Sequence, residues 1–191
     1  MFIRRRNTTS PLSEPAKKVL VLVDWDNLFC NLYNDFKAEG MRLDYRLKKL
    51  KKWLQNEVAE ILGDYGFVFA PEHLSFLHQQ ICVQNGFRLI TCPKRQIQNR
   101  ATGETDEEDT VDETIIWFGQ IMMRHPDVKF ICLVSGDDDF VPLFEEALKH
   151  GVKRALVPPT INSLSKSKRL IRLVDKHPKT QKKMVLRLDE V

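Results

Sequence analysis

Two stretches of the chain are apolar at every position and then end abruptly in polar residues. Residues 19–23 read Val-Leu-Val-Leu-Val and precede Asp24, whereas residues 130–134 read Phe-Ile-Cys-Leu-Val and precede Ser135 and Gly136. Unbroken apolar runs of this length are typical of strands that are buried on both faces of a parallel sheet. The pattern therefore predicts two central strands that end at one edge of the same sheet.

Strands and helices are predicted to alternate along the rest of the chain. The predicted strands are residues 18–24, 66–70, 87–91, 130–134 and 153–157, and the predicted helices are residues 27–36, 43–62, 71–85, 110–123, 140–150 and 163–175. This alternation predicts a three-layer α/β domain whose central sheet is mainly parallel and has about five strands.

Several of the predicted helix ends carry a local signal. Asn27 is predicted to cap the first helix, and Thr110 with Glu113 has the spacing of a capping box. Gly151 is predicted to end the helix before it, because glycine readily adopts the left-handed conformation that follows many helices.

The chain is predicted to form one domain, residues 16–178, between two short polar segments. Residues 1–15 predict a flexible basic arm, and residues 179–191 a polar tail with a short edge strand at 184–188. A polar insertion at residues 94–109 predicts a long loop or a β-hairpin. Its acidic side chains, which include Asp109, either form a solvated surface, which we favour, or crowd the acidic edge, where they would repel phosphate or act as a mobile gate.

Composition and the absence of several common motifs limit the classes of protein to which this chain can belong. The 191 residues carry a net charge of +4, and no apolar stretch approaches the roughly 20 residues that a membrane span needs. No apolar signal region follows the basic start, and the four cysteines lack C-x-x-C spacing, which predicts reduced thiols that serve as small hydrophobes. No Walker A loop, G-x-G-x-x-G or H-E-x-x-H pattern is present. We therefore expect a cytoplasmic protein without a membrane partner, whose charge permits binding to nucleic acid.

Acidic residues collect at the predicted strand ends. Asp24 and Asp26 follow the first strand, and Asp137, Asp138 and Asp139 follow the strand that ends at the second apolar run. Ligands of open α/β sheets bind beyond the carboxyl ends of the strands, where these carboxylates are expected to meet. Two carboxylates about 4 Å apart repel by about 4 kcal/mol at an effective dielectric constant near 20. A divalent cation is the simplest relief for that repulsion.

Asp112 lies in the first turn of the helix predicted to begin at Thr110, which directs it towards the same edge. The candidate set is therefore Asp24, Asp112, Asp137 and Asp139, with Asp26 and Asp138 as close neighbours. Hard oxygen ligands without His or Cys suit Mg²⁺ or Mn²⁺ rather than zinc. A simpler interpretation also exists: Asp138 and Asp139 could cap the following helix, and Asp24 could be a hydrogen-bonded strand-end carboxylate.

Two groups of basic residues are candidates for binding phosphate. The first group lies on the last predicted helix and consists of Lys166, Lys168, Arg169 and Arg172. The second group lies on the second predicted helix and consists of Arg42, Arg46, Lys48, Lys49, Lys51 and Lys52 beside Trp53. The last helix is the better candidate, because it follows the fifth strand close to the acidic edge. Trp25 either stacks on a nucleobase or forms a hydrophobic lid.

Three short motifs lie at the predicted strand and helix ends. They are Val-Asp-Trp-Asp-Asn-Leu at residues 23–28, Val-Asp at residues 111–112 and Ser-Gly-Asp-Asp-Asp-Phe at residues 135–140. Together these motifs resemble those of the NYN domain, a family of the PIN-like nuclease superfamily. The third motif is the most specific of the three, and the resemblance spans roughly residues 18–175. It implies a PIN-like, Rossmann-like fold.

The resemblance further implies an RNA-directed nuclease that depends on Mg²⁺ or Mn²⁺. The metal-binding acids that it implies are Asp24, Asp112, Asp137 and Asp139, supported by Asn27, Ser135, Asp26 and Asp138. We expect Asp24, Asp137 and Asp139 to hold the primary metal, and Asp112 to complete the site or to orient water. The expected partner is single-stranded or structured RNA, and a homodimer is compatible with the sequence.

Two other functions fit parts of the sequence. Asp24 and Asp26 have the spacing of the acid pair in haloacid-dehalogenase-like phosphatases, whose pattern expects Thr or Val where this chain has Leu28. Thr91 and Lys94 lie too close together to supply the remaining motifs of that class. An RNA-binding or scaffold domain that keeps the acids without turnover is the stronger alternative.

Overall fold

Five parallel strands form the central sheet of the protein. They are β1 (Lys18–Asp24), β2 (Gly66–Pro71), β3 (Arg88–Cys92), β6 (Val128–Val134) and β7 (Lys153–Leu156). Their order across the sheet is β3-β2-β1-β6-β7, and every pairing is parallel. The computed structural model describes residues 18–29, 39–58, 65–71, 74–98, 103, 105–159, 167–186 and 188. The sheet confirms the predicted α/β class.

The strands β1 and β6 lie side by side at the centre of the sheet. Their pairing runs to Val23 opposite Val134, so the two strands end at the same edge. The side chains of residues 19–23 and of residues 131–134 are fully buried. The unbroken apolar runs therefore reflect strands that are covered on both faces, as predicted.

Helices cover the two faces of the sheet. They are α1 (Trp25–Phe29), α2 (Glu39–Trp53), α3 (Phe76–Gln84), α4 (Val111–Met122), α5 (Val141–Lys149) and α6 (Lys168–Leu173). A π-helical turn, Leu54–Val58, extends α2. The helices α2 and α3 contact each other, as do α4 and α5. Right-handed crossovers place these two pairs on opposite faces, which gives the three layers.

For two of the helices whose starts differ from those predicted, the local contacts show the reason. The first begins at Trp25, so Asn27 lies inside α1, where its side chain binds Asp24 instead of capping the helix. The helix predicted to start at Pro71 begins after Ser75, whose side chain accepts a hydrogen bond from a backbone amide of α3. Pro71 itself belongs to β2, since proline is tolerated at a strand end as well as at a helix start.

The capping box predicted for α4 does not form. The Thr110 hydroxyl donates to the Pro93 carbonyl at 2.7 Å, and Glu113 forms an ion pair with Arg95. The carboxylate of Asp109 accepts the hydrogen bond from the first amide of α4 at 2.8 Å. Contacts with the chain that follows β3 have therefore replaced the local contacts that the spacing of Thr110 and Glu113 suggests.

The polar insertion is a β-hairpin, one of the two forms predicted for it. Its strands are β4 (Arg95–Gln98) and β5 (Thr105–Glu108), which pair antiparallel and form a sheet of their own. The side chains of both strands are exposed. Arg95 forms ion pairs with Glu108 inside the hairpin and with Glu113 on α4, and these pairs attach the hairpin to that helix.

The chain after α6 returns along β7. Asp175 accepts two hydrogen bonds from the Arg154 guanidinium, at 2.9 and 3.0 Å. A single parallel bridge between Leu156 and Val185 lies where a short edge strand was predicted. The predicted N-terminal arm lies outside the described residues.

Two findings bear on the expectations from composition. No helix in the described part of the chain is long and apolar enough to cross a membrane. Cys82, Cys92 and Cys132 are buried with free thiols, as expected of small hydrophobic residues, and Cys30 lies outside the described residues.

Candidate active site

The carboxylate of Asp24 lies at the C-terminal end of β1. The residue is 2% exposed and accepts hydrogen bonds from the Asn27 amide at 3.1 Å and from the Asn27 side chain at 2.6 Å. The Ser135 hydroxyl, which follows β6, donates a third hydrogen bond at 3.0 Å. Asp24 is therefore a buried acid that joins the ends of the two central strands.

Burial raises the pKa of Asp24, because removal from water penalises the charged form. The hydrogen bonds from Asn27 and Ser135 act in the opposite direction, since they favour the carboxylate, and the nearby charge of Asp26 adds to the rise. Burial also raises the pKa of Asp26, with a further contribution from the charge of Asp109.

The loop after β6 is fixed by the same two polar side chains. The Ser135 hydroxyl accepts a hydrogen bond from the Asp137 amide at 3.3 Å, and the Asn27 side chain accepts one from the Gly136 amide at 3.3 Å. Asp137 in turn accepts a hydrogen bond from the Asp139 amide at 3.0 Å, which begins a short 3-10 turn before α5. These contacts determine where Asp137 and Asp139 lie.

Three carboxylates come together at this edge of the sheet, and we call them the carboxylate trio. Asp112 lies in the first turn of α4, Asp137 and Asp139 follow β6, and one oxygen of each lies within 4.8 Å of the others. Asp139 is exposed, whereas Asp112 and Asp137 are half-buried. From the sequence we expected Asp24, Asp137 and Asp139 to hold the primary metal, whereas the trio contains Asp112 in place of Asp24. The oxygens of Asp24 instead accept the hydrogen bonds from Asn27 and Ser135.

A cavity of about 160 Å³ opens beside Asp112. Its lining residues are Asp24, Asp26, Asn27, Asp109, Val111 and Asp112. Asp109 was not among the predicted site residues, because a solvated surface was the favoured interpretation of its segment. The signal that could have identified it is its position directly before α4, where an aspartate commonly caps a helix and so lies near the first turn.

The pKa of Asp112 is raised to about 7. Burial is the largest cause, and the negative charges of Asp24, Asp137, Asp109 and Asp139 add to it. Each of these neighbours favours the protonated form of Asp112, because a second charge nearby is repelled. Ionisation of Asp112 is therefore disfavoured while the acids around it are charged.

The trio has a donor set that suits a hard divalent cation. Its ligand atoms are three carboxylate oxygens, which Mg²⁺ and Mn²⁺ prefer over the nitrogen and sulfur donors typical of zinc sites. Burial raises the pKa of Asp112, and the negative charges of the neighbouring acids add to that rise, which a bound cation would offset. The residues present thus fit the expected type of metal.

Asp138 does not belong to the trio. Its carboxylate accepts hydrogen bonds from the Arg169 amide at 3.2 Å and from the Leu170 amide at 3.1 Å. The sequence left open whether Asp138 supports the acids or caps the helix that follows it. Asp138 caps a later helix, α6, because the fold brings the start of α6 against the 3-10 turn.

The first turn of α6, with Lys168 and Arg169, lies at the same end of the sheet as the trio. The exposed basic residues of α6 are Lys168, Arg169 and Arg172. The start of α6 is joined to the loop after β6 by the Ser167 hydroxyl, which donates to the Gly136 carbonyl at 2.9 Å. Lys166 lies outside the described residues.

Trp25 belongs to the hydrophobic core. It is 4% exposed, and its ring centroid lies 5.2 Å from that of His78 with an angle of 47° between the rings. A ring buried to this extent does not offer a face to a nucleobase. Burial therefore disfavours the base-stacking interpretation of Trp25, and the residue is part of the core.

The fold and the acidic edge together define the class of this protein. A five-stranded parallel sheet flanked by helices is consistent with a PIN-like domain, and the carboxylate trio lies at its carboxyl edge. Residues 18–178 match the NYN domain family. The chain therefore belongs to that family, which is of the nuclease type, and the resemblance noted from the motifs is confirmed.

Two solved structures show a weak similarity to this chain. A carbohydrate kinase from Agrobacterium tumefaciens is 13% identical, with 84% of this chain and 59% of the kinase covered and a TM-score of 0.44. A PLP-bound putative aminotransferase from Clostridium difficile 630 is 17% identical, with 60% of this chain and 35% of the aminotransferase covered and a TM-score of 0.22. Neither likeness bears on function. No curated protein matches the chain.

The first prediction separates a metal site from a set of helix caps. Asp139→Asn keeps the amide that Asp137 binds and removes one exposed carboxylate of the trio. Wild type should gain about 2.7 kcal/mol from Mg²⁺ or Mn²⁺ at a hundredfold excess over the dissociation constant, and the variant should lose most of that gain. In EDTA the variant should melt at the wild-type temperature or above, because one repelling charge is gone. Differential scanning calorimetry measures both effects.

Glu145→Gln is the matched control, because it neutralises an exposed acid on α5. It should keep the whole metal response of the wild type. If wild type and Asp139→Asn melt alike with and without metal, Asp139 is only part of a turn and the trio is not a metal site.

A second prediction concerns pH and uses the metal-free protein. The pKa of an aspartate in the unfolded chain is about 3.9, whereas that of Asp112 in the folded protein is about 7. Because the unfolded chain releases this proton first, the folded protein should lose stability as pH rises between about 4 and about 7. Asp112→Asn should reduce that decline, and urea denaturation in EDTA across this range measures it. The exposed hairpin residue Asp106 provides a control, since Asp106→Asn should leave the decline unchanged.

Proposed function

We propose that the protein is a metal-dependent nuclease that cleaves RNA phosphodiester bonds at the carboxylate trio. One observation carries the proposal: Asp112, Asp137 and Asp139 converge from two separate segments to within 4.8 Å in a chain of a nuclease-type family. The proposal goes beyond family membership in naming the metal dependence, the RNA substrate and the residues that act.

The carboxylate trio would hold Mg²⁺ or Mn²⁺. Such an ion, when bound, supplies an activated water and stabilises the negative charge that develops on a cleaved phosphodiester. The protein holds the three carboxylates at a fixed spacing. Asp137 and Asp139 are fixed by the 3-10 turn, and Asp112 is fixed by the packing of α4 against β1 and β2.

Asp24, Asn27 and Ser135 position the trio in this proposal. Ser135 donates to Asp24 and accepts from the Asp137 amide, so the buried carboxylate is linked to the loop that carries two members of the trio. Asn27 makes a parallel link, since it donates to Asp24 and accepts from the Gly136 amide. These groups are arranged to support the site rather than to contact substrate.

The basic residues of α6 supply the phosphate contacts in this proposal. Lys168 and Arg169 are exposed in the first turn of α6, which is hydrogen-bonded to the loop that carries Asp137 and Asp139. Cations next to the acids allow the RNA backbone to approach an edge that would otherwise repel it. Contacts of this kind give affinity without sequence preference.

The basic face of α2 is the less favoured path for RNA. Arg46 donates to the Leu28 carbonyl at 2.9 Å, and Lys51 donates to the Asn85 carbonyl at 3.1 Å. Lys48 forms an ion pair with an acid one turn away on the same helix. Several cations of α2 are therefore engaged within the protein.

The phosphatase alternative requires Asp24 as a nucleophile. Asp24 is 2% exposed, and both of its oxygens accept hydrogen bonds from Asn27 or Ser135. A carboxylate in that environment is poorly placed to attack phosphorus. The non-catalytic alternative is decided by the cleavage experiment that follows.

The third prediction concerns catalysis. Asp137→Asn should reduce Mn²⁺-dependent RNA cleavage by at least about 100-fold, because a carboxylate ligand of a charge-stabilising metal is lost. Binding of RNA in EDTA should change little, since the phosphate contacts come from basic side chains. Labelled RNA and DNA of the same sequence, incubated with Mn²⁺ or with EDTA, give the rate and the substrate class.

Three results would contradict this mechanism. Equal activity of wild type and Asp137→Asn would indicate a contaminating nuclease, and cleavage that persists in EDTA would exclude a metal. Metal-dependent RNA binding without cleavage would favour the non-catalytic alternative. Glu145→Gln should behave as wild type in every assay.

The fourth prediction concerns the path of the RNA. Replacing Lys168 and Arg169 by Ala should weaken binding to RNA of any sequence and reduce the salt dependence by up to about one unit of slope per lost phosphate contact. The control replaces Lys48 and Lys52 of α2 by Ala and should leave the slope unchanged. If only the α2 variant reduces the slope, the RNA lies along α2 instead.

A further inference from the structure

Asp138 makes different contacts from its two acidic neighbours in the chain. Its carboxylate accepts hydrogen bonds from the Arg169 amide at 3.2 Å and from the Leu170 amide at 3.1 Å. Both amides belong to the first turn of α6, where backbone N–H groups have no partner within the helix. Asp138 therefore caps α6, although Arg169, the nearer of the two residues that it binds there, lies 31 positions further along the chain.

A second contact joins the same two segments. Ser167, the residue before α6, is fully buried, and its hydroxyl donates to the Gly136 carbonyl at 2.9 Å. The side chain of Leu170 is fully buried as well, so apolar packing reinforces the polar contacts. The loop after β6 and the first turn of α6 therefore form one connected unit.

The other end of α6 is anchored independently. Asp175 follows the helix and accepts hydrogen bonds from the Arg154 amide at 2.8 Å and from its guanidinium at 2.9 and 3.0 Å. Arg154 belongs to β7, which lies beside β6 in the sheet. The helix is thus attached to the sheet at its end and to the loop of the trio at its start.

These attachments have a consequence for Lys168 and Arg169. Both residues lie in the turn whose backbone Asp138 holds, while the residues on either side of Asp138 belong to the trio. One aspartate therefore connects the metal-binding carboxylates to the phosphate-binding cations. A shift of α6 relative to the loop would change the distance between those two groups.

We propose that Asp138 is a positioning residue, which fixes the basic first turn of α6 relative to the carboxylate trio. RNA phosphates bound by Lys168 and Arg169 are then held in register with the cleavage site. This inference rests on the proposed function. Asp138 acts through the backbone of α6, and it contacts neither the metal nor the RNA.

Two substitutions separate the hydrogen bond of Asp138 from its charge. Asp138→Ala and Asp138→Asn both remove a negative charge near the RNA, which by itself favours binding, but only Asn keeps an acceptor for the α6 amides. Asp138→Ala should bind RNA about fivefold more weakly at about 0.1 M salt, with a slope lower by about 0.7, as for the loss of one phosphate contact. Asp138→Asn should stay within about twofold of wild type.

The measurement is fluorescence anisotropy of a labelled single-stranded RNA in EDTA over a range of salt concentrations, so that turnover plays no part. In a chain that already carries Lys168→Ala and Arg169→Ala, the further change Asp138→Ala should add less than about a twofold loss, because the residues through which it acts are gone. Ser167→Ala should weaken binding in the same direction, and it keeps the test available if Asp138→Ala does not fold. Glu145→Gln should bind as wild type.

Several outcomes would overturn the positioning role. Wild-type binding by both Asp138→Ala and Ser167→Ala would do so, as would equal weakening by Asp138→Ala and Asp138→Asn. A fully additive loss in the combined variant would show that Asp138 does not act through Lys168 and Arg169. Loss of the Mn²⁺ stabilisation in Asp138→Ala would place Asp138 in the metal site instead.

Failure of this inference can be told apart from failure of the proposed function. If wild type does not cleave RNA but the variants bind as expected, the catalytic proposal fails and the coupling between α6 and the loop stands. If wild type cleaves RNA while Asp138→Ala and Ser167→Ala bind as wild type, only the positioning role fails.

Discussion

Removing the Asp24 carboxylate from water would strongly favour its protonated form if the protein supplied no partners for it. Three hydrogen bonds, two from Asn27 and one from Ser135, provide those partners. The same two side chains bind the amides of Gly136 and Asp137, so the requirement to satisfy one buried acid also orders the loop after β6. The spacing of the trio depends on this buried acid, because two of the three members of the trio lie on that loop.

Charge distinguishes the trio from the other acidic surface nearby. Two acids of the hairpin are paired with cations, Glu107 with Lys94 at 3.0 Å and Glu108 with Arg95. The charged groups that act on Asp112 are aspartates instead: burial is the largest cause of its raised pKa, and their charges add to it. Acids that pair with cations of the protein are typical of a solvated surface. Acids that are held close together without such cations are typical of a site that binds a metal ion. This contrast, more than the number of acids, supports a metal centre.

Three consecutive aspartates have three different structural roles. Asp137 caps the 3-10 turn and contributes to the trio, and Asp139 contributes an exposed carboxylate to it. Asp138 points to α6 and links the trio to a basic helix. A compact turn can do this because successive side chains leave it in different directions. The proposed phosphate contacts and the proposed cleavage site are thus connected through residues that are adjacent in the chain.

The parallel sheet, the edge at which the acids lie and the members of the trio as candidates could all be predicted from the amino-acid sequence. These features follow from local signals: unbroken apolar runs for buried strands, and aspartates placed directly at strand ends and in a first helical turn. The contacts of the folded chain were needed to show that Asp24 is buried and hydrogen-bonded to Asn27 and Ser135, that Trp25 lies in the core and that Asp138 caps α6. Thr110 and Glu113 do not form their capping box, because they are hydrogen-bonded to Pro93 and Arg95, which lie 17 and 18 positions away in the chain. A hydrogen-bonding side chain takes whichever donor or acceptor the fold brings near it, and sequence spacing shows only the local partners.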